Sequence, residues 1–185
     1  MTVGLFWLIL VVAVVAMIVW RLSTLAGRLD RLHHRIELAD ASLDAQLARR
    51  ARATEALGTS GLLDPSSSIV LALAASNSRN ASSASPVDRG IAESELSRDL
   101  REVLGDQEAV DYLRSTPEGE EILTDLAYAA NQVALSRRFR NDGVQATRLL
   151  RSGVIVRVFH LAGSAPMPQM MEMDDVPPAT LAPLI

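Results

Sequence analysis

Residues 21–50 read RLSTLAGRLDRLHHRIELADASLDAQLARR, and this stretch decides the fold. Leu22, Leu25, Leu29, Leu32, Ile36, Ala39 and Leu43 recur at steps of three and four, the spacing of one helix face packed on other helices. The same spacing serves a parallel coiled coil. About three heptads are too few to demand self-association, so a monomeric intramolecular bundle is preferred to a coiled-coil dimer. The helix is predicted to continue to about Leu57, where Gly58, Ser60 and Gly61 stop it.

On the N-terminal side of this stretch the pattern changes from periodic to continuous. Val3 to Trp20 carries no ionisable side chain, and as a helix the uncharged run is about 30 Å long, the thickness of a bilayer's hydrocarbon core. Twelve of its residues are Val, Leu, Ile or Phe, which together favour insertion by about 4–7 kcal/mol. Trp7 and Trp20 are candidate interfacial anchors. A cleaved signal peptide fits less well: only Met1 and Thr2 precede the run, and Ala13 and Ala16 do not form a small-x-small site. The expected organisation is a transmembrane anchor at 1–20, a helical bundle at 21–160 and an extended, proline-containing tail at 161–185. Arg21, Arg28, Arg31 and Arg35 follow the anchor and none precedes it, which puts the large domain in the cytoplasm, against the plasma membrane. The alternative is the same bundle on the extracytoplasmic face, with a role in the cell envelope.

Toward the C-terminus further helical segments follow. Ile69, Val70, Leu71 and Leu73 mark a short apolar helix over 67–77, and the Ser-, Asn- and Ala-rich residues 77–86 read as a loop. A third helix is predicted from about Val87 to Leu104, with Ala92, Leu96, Leu100 and Val103 on one face. Gly105 interrupts it, and a turn carrying Val110 and Leu113 follows. Ser115, Pro117 and Glu118 start a last long helix that ends near Ser152-Gly153, with Ile122, Leu126, Ala129, Val133 and Val144 turned inward. Four prolines lie between Pro166 and Pro178. The fold class is therefore all-α: an N-terminal transmembrane helix and an antiparallel bundle with long first and last helices.

Composition removes several kinds of chemistry. The chain of 185 residues has no cysteine, hence no disulfide, thiolate metal site or thiol nucleophile. All 18 basic residues are arginine, so no lysine can form a Schiff base or bind phosphate in a P-loop. A net charge of −4 argues against nucleic acid as a partner. His33 and His34 point about 100° apart on a helix, and His160 stands alone, so no metal site is expected. No dinucleotide, hydrolase-elbow or zinc-protease motif is present, and no cofactor is expected. Carboxylates such as Glu93, Glu95, Glu120 and Glu121 leave one enzymatic alternative open, a hydrolase built on acidic bundle residues.

Charge is arranged in blocks: residues 88–126 balance at −8 and residues 137–157 at +5. Arg148, Arg151 and Arg157 flank the apolar run Val154, Ile155, Val156, Val158 and Phe159. An even helix count returns this segment to the membrane, where Arg148, Arg151, Arg157 and Phe159 form a candidate lipid-surface site. In the competing arrangement the apolar residues cap the bundle core and the arginines pair with the acidic block.

Four stretches resemble the LemA family of bacterial membrane proteins. Residues 39–50 (ADASLDAQLARR) look like the family's segment just past its membrane helix. Residues 92–100 (AESELSRDL) are close to its Ala-Glu-x-Glu-Leu-Ser-x-x-Leu helix. Asn141-Asp142-Gly143-Val144 matches its Asn-Asp-x-Val, and Phe159 to Pro168 followed by Glu172 is similar to its apolar, proline-containing ending. The chain departs from the family at Asp40, where Trp is frequent, at Glu55-Ala56-Leu57, where Pro-Asn-Leu is expected, and at Met170 or Met171 in place of an aromatic. The resemblance, covering about residues 20–175, implies one membrane helix and an antiparallel bundle in a divergent, actinobacterial-type branch. It brings no catalytic residues. The functional expectation is a non-enzymatic adaptor, scaffold or accessory subunit that acts through contacts with the lipid bilayer and with a membrane or membrane-associated protein.

Overall fold

The computed structural model describes residues 2–81, 85–163 and 165–181, with side chains from Gly4 onward. Among these residues there are six α-helices and no strand: α1 (Thr2–Thr59), α2 (Pro65–Asn80), α3 (Pro86–Val103), α4 (Gln107–Arg114), α5 (Pro117–Ser152) and α6 (Val154–Val158). The all-α reading holds. α1 runs two residues past the expected stop and gives way to Gly61 at φ 75°, a left-handed conformation that glycine adopts without steric cost. α2 is longer at both ends than expected, because Asp64 caps it: its Oδ1 accepts from the Ser66 and Ser67 amides at 2.9 and 3.1 Å, with Pro65 in the first turn. Ser85 and Asp106 cap α3 and α4 in the same way. The turn expected at Val110 and Leu113 is a two-turn helix that buries both residues.

The helices distribute over two compact units, where the sequence suggested one bundle over 21–160. The larger contains residues 38–142 and 169–185. Within it α1 and α5 run antiparallel, as successive contacts show: Arg49 Nε donates to Asp125 at 2.7 Å, the Ser42 and Ser136 hydroxyls meet at 3.3 Å, and Arg140 pairs with Asp40. Leu57, Leu71, Leu96, Leu100, Leu104 and Leu126 form the main core, and each is at least 98% buried. Burying a leucine contributes about 1.5–3 kcal/mol. A second cluster joins Leu43, Leu47 and Val133 to Met171. On α5 the inward residue of the first turns is Leu123, with Ile122 only partly covered.

Residues 1–37 and 143–168 make the smaller unit. Leu29 and Ile36 of α1 are buried there, as are Val144, Thr147 and Val156. Gly143 packs so tightly on α1 that a Cβ at its position would lie 3.2 Å from Ile36 Cγ1. Leu22, Leu25 and Leu32 of the same periodic face are half-buried. Among the described residues nothing covers the uncharged start of α1: its mean hydropathy reaches 2.6 over 18 residues, none of them buried. It is one helix long and apolar enough to cross a membrane.

Residues 165–178 are extended, as the prolines imply, but they are docked against helices rather than loose. In the larger unit Asn141 grips the Met171 backbone from both sides, donating from Nδ2 to its carbonyl and accepting from its amide, each at 3.0 Å. The Asp174 amide donates to Ser94 Oγ at 2.9 Å, Arg137 pairs with Asp175 at 2.6 Å, and Thr180 donates to the Leu104 carbonyl at 2.6 Å. Met171 and Leu181 are buried. The segment from 169 to 181 is therefore extended and at the same time packed as a component of the larger unit.

Candidate functional site

The four residues expected at a lipid surface fall in the smaller unit and divide into two groups. Arg148 Nε donates to the Pro168 carbonyl at 2.8 Å. Arg151 donates to the carbonyls of Pro166 and Ala165 at 2.8 and 2.6 Å. Both guanidiniums are thereby engaged in holding the extended segment onto α5. Arg157 and Phe159 are exposed, and Arg157 has no partner among the described residues. Of the apolar run, only Val156 turns inward; Val154, Ile155 and Val158 are open to the surroundings.

Of the core-capping arrangement, Val156 alone takes the expected buried place. Among the described residues of the basic block, Arg137 and Arg140 pair with Asp175 and Asp40, and Arg148 and Arg151 bind backbone carbonyls. The acids of 88–126 find α1 instead, through Arg49–Asp125 and Arg50–Glu93. Backbone carbonyls left without partners by an extended, proline-containing segment are strong acceptors, and charged donors satisfy them well.

Beside α6 lies a cavity of about 740 Å³ lined by Val154, Val158, Met167, Arg157 and His160.

In the larger unit the structure reveals a polar cluster that the sequence reading passed over. Arg50 and Glu93, exposed by only 2% and 1%, form an ion pair at 2.7 Å. Arg50 also donates to Ser97 Oγ at 3.0 Å and to the Glu93 carbonyl at 3.2 Å, and Ser78 donates to Glu93 Oε1 at 2.8 Å. Arg50 Nε has no partner. Glu93 lies in the inward stripe of α3 with Leu96 and Leu100, spaced three and seven residues on; an acid at an apolar position was the available signal. Among the described residues no group of three or more His, Asp or Glu side chains could hold a metal ion.

No family model matches the chain, and neither a curated protein nor a solved structure does.

Proposed function

We propose that this protein is a single-pass, membrane-anchored helical bundle of LemA-like type that works through contacts with other proteins, as an adaptor, scaffold or accessory subunit of a membrane complex. The observation that carries the proposal is the continuity of α1. One unbroken helix joins an uncovered apolar span to residues buried among other helices. An 18-residue apolar helix left in water on all sides is strongly unfavourable, and a bilayer is the solvent that suits it. The exposed face of α6 and Arg157 supply a second contact with the lipid surface, where each cation near anionic headgroups contributes about 1 kcal/mol.

The LemA relationship rests on the resemblance of four stretches of sequence, and residues of three of them make tertiary contacts in this chain. Glu93 of AESELSRDL is the buried partner of Arg50 in ADASLDAQLARR, and Asn141 of the Asn-Asp-x-Val stretch fastens the chain at Met171. The arginines after the span favour a cytoplasmic bundle at the plasma membrane. Fusing alkaline phosphatase or a cytoplasmic fluorescent reporter to the C-terminus tests both points. The expected result is a fluorescent, phosphatase-negative fusion that stays with membranes in alkaline carbonate. Phosphatase activity would reverse the orientation, and release by carbonate would remove the anchor.

A further inference from the structure

The reading as a protein-contact module leaves the contact surface unnamed, and the geometry points to one. α2 and α3 lie side by side, and a groove of about 520 Å³ runs between their outer faces. Val70 and Leu73 of α2 and Val103 of α3 line its floor. Leu73 is 59% exposed, and Ile69 and Ile91, each one turn from groove residues, are 61% and 55% exposed. Aliphatic side chains gathered on adjacent helices and left open mark an interaction surface more than scattered ones do.

The walls are unequal in charge. Along α2 the groove is bordered by Ser66, Ser67 and Asn77, none of them ionisable. Along α3 it is bordered by Glu95, Asp99 and Glu102, whose spacing of four and three residues sets them on one face. Arg98 meets Asp99 at 3.6 Å, while Glu95 and Glu102 have no cation partner among the described residues. From Ser66 to Asn77 the groove is about 16 Å long, three helical turns. An apolar furrow between two helices receives a third helix through side chains at i, i+3 or i+4, and i+7.

We propose that the α2–α3 groove docks an amphipathic helix of a partner protein, with aliphatic residues on its buried face and arginine or lysine on the flank facing α3. The proposal rests on the reading of this chain as a protein-contact module. Charge complementarity selects the occupant. Three carboxylates repel an acidic helix, and an anionic lipid surface equally, while they attract a basic flank and set its direction of approach.

The absence of cysteine allows a unique reporter. The full chain in uncharged detergent carries Asn77→Cys, labelled with an environment-sensitive dye, or Arg138→Cys on α5, labelled in the same way, as a distant control. The probe is a helical peptide of about fourteen residues with leucines at i, i+3 and i+7 and arginines on one flank. Its twin has glutamate for every arginine. The expected result is a saturable blue shift of the dye in the groove and none of the dye on α5, with the twin silent. Replacing Glu95 and Glu102 by Gln, or Leu73 by Ser, weakens binding about tenfold. All three side chains are exposed or half-exposed, so these variants keep their helix content by circular dichroism. Equal binding of the twin, indifference to the substitutions, or no shift with either peptide overturns the proposal. A blue shift that grows with protein concentration alone also overturns it, in favour of a second copy of this chain. None of these outcomes alters membrane retention or the reporter result, so loss of the groove and loss of the anchored-module reading are told apart.

Discussion

Arg50 and Glu93 sit almost wholly out of water, held by each other and by two serine hydroxyls. Desolvating two charges costs several kcal/mol per ion, and their attraction offsets this only while both partners remain. Glu93→Ala is therefore expected to destabilise the chain by about 3–5 kcal/mol, because it strands a buried guanidinium. The double change Arg50→Met with Glu93→Leu should recover most of that loss. Thermal denaturation followed by circular dichroism reads both; equal destabilisation of the single and double variants would sink this account. Both residues lie in stretches that the sequence singles out, but their pairing is not legible there. Nothing in one chain's spacing says that position 50 of α1 meets position 93 of α3.

At the scale of elements, the extended segment from 169 to 181 is the least expected part. It has no period, so its burial comes from what it touches. Gly90 shows how close the contact is: a Cβ there would stand 2.2 Å from the Glu172 carbonyl oxygen, inside any tolerable separation. Arg101 holds the Asp174 carboxyl below the usual carboxylate range, chiefly through their charge-assisted hydrogen bond, with the Val176 amide adding to the effect. A lowered folded pKa means that the stabilisation is complete above the unfolded value of about 3.9 and is lost as pH falls through the folded value. Docking of this segment should thus loosen in acid. Hydrogen exchange at the amides of Met171 and Asp174 checks it: protection relative to the core should fall below about pH 4, and Asp174→Asn should show the weaker protection already at pH 7.

For the whole molecule, the structure separates three arginines that the sequence treats alike. Arg148 and Arg151 bind backbone carbonyls, whereas Arg157 stands exposed beside Val154, Val158 and Phe159. A fragment lacking residues 1–21 is expected to bind anionic vesicles in low salt and to release them as salt rises. Arg157→Gln should weaken that binding about fivefold, the equivalent of 1 kcal/mol for one cation at a charged surface. Arg148→Gln and Arg151→Gln should act on stability instead, lowering the melting temperature with little change in vesicle affinity per folded molecule. Sedimentation with vesicles, beside thermal melts of each variant, distinguishes the two effects. Indifference of the fragment to vesicles at every salt concentration would confine lipid contact to the span itself.

What the sequence alone determined is what depends on neighbours along one helix. The uncharged span, the three-and-four spacing from Leu22 to Leu43, the helix start at Pro117 and the stops at glycine are local properties, set by side-chain period, caps and backbone freedom. They specified the all-α class and the order of its helices. Tertiary structure alone decided which charges meet, that Glu93 turns inward, that Arg148 and Arg151 clasp a prolyl segment, and that the chain after residue 165 joins the fold. These depend on contacts between residues tens of positions apart, such as Asn141 with Met171 and Arg50 with Glu93. Their free energy appears only when packing removes water from both partners.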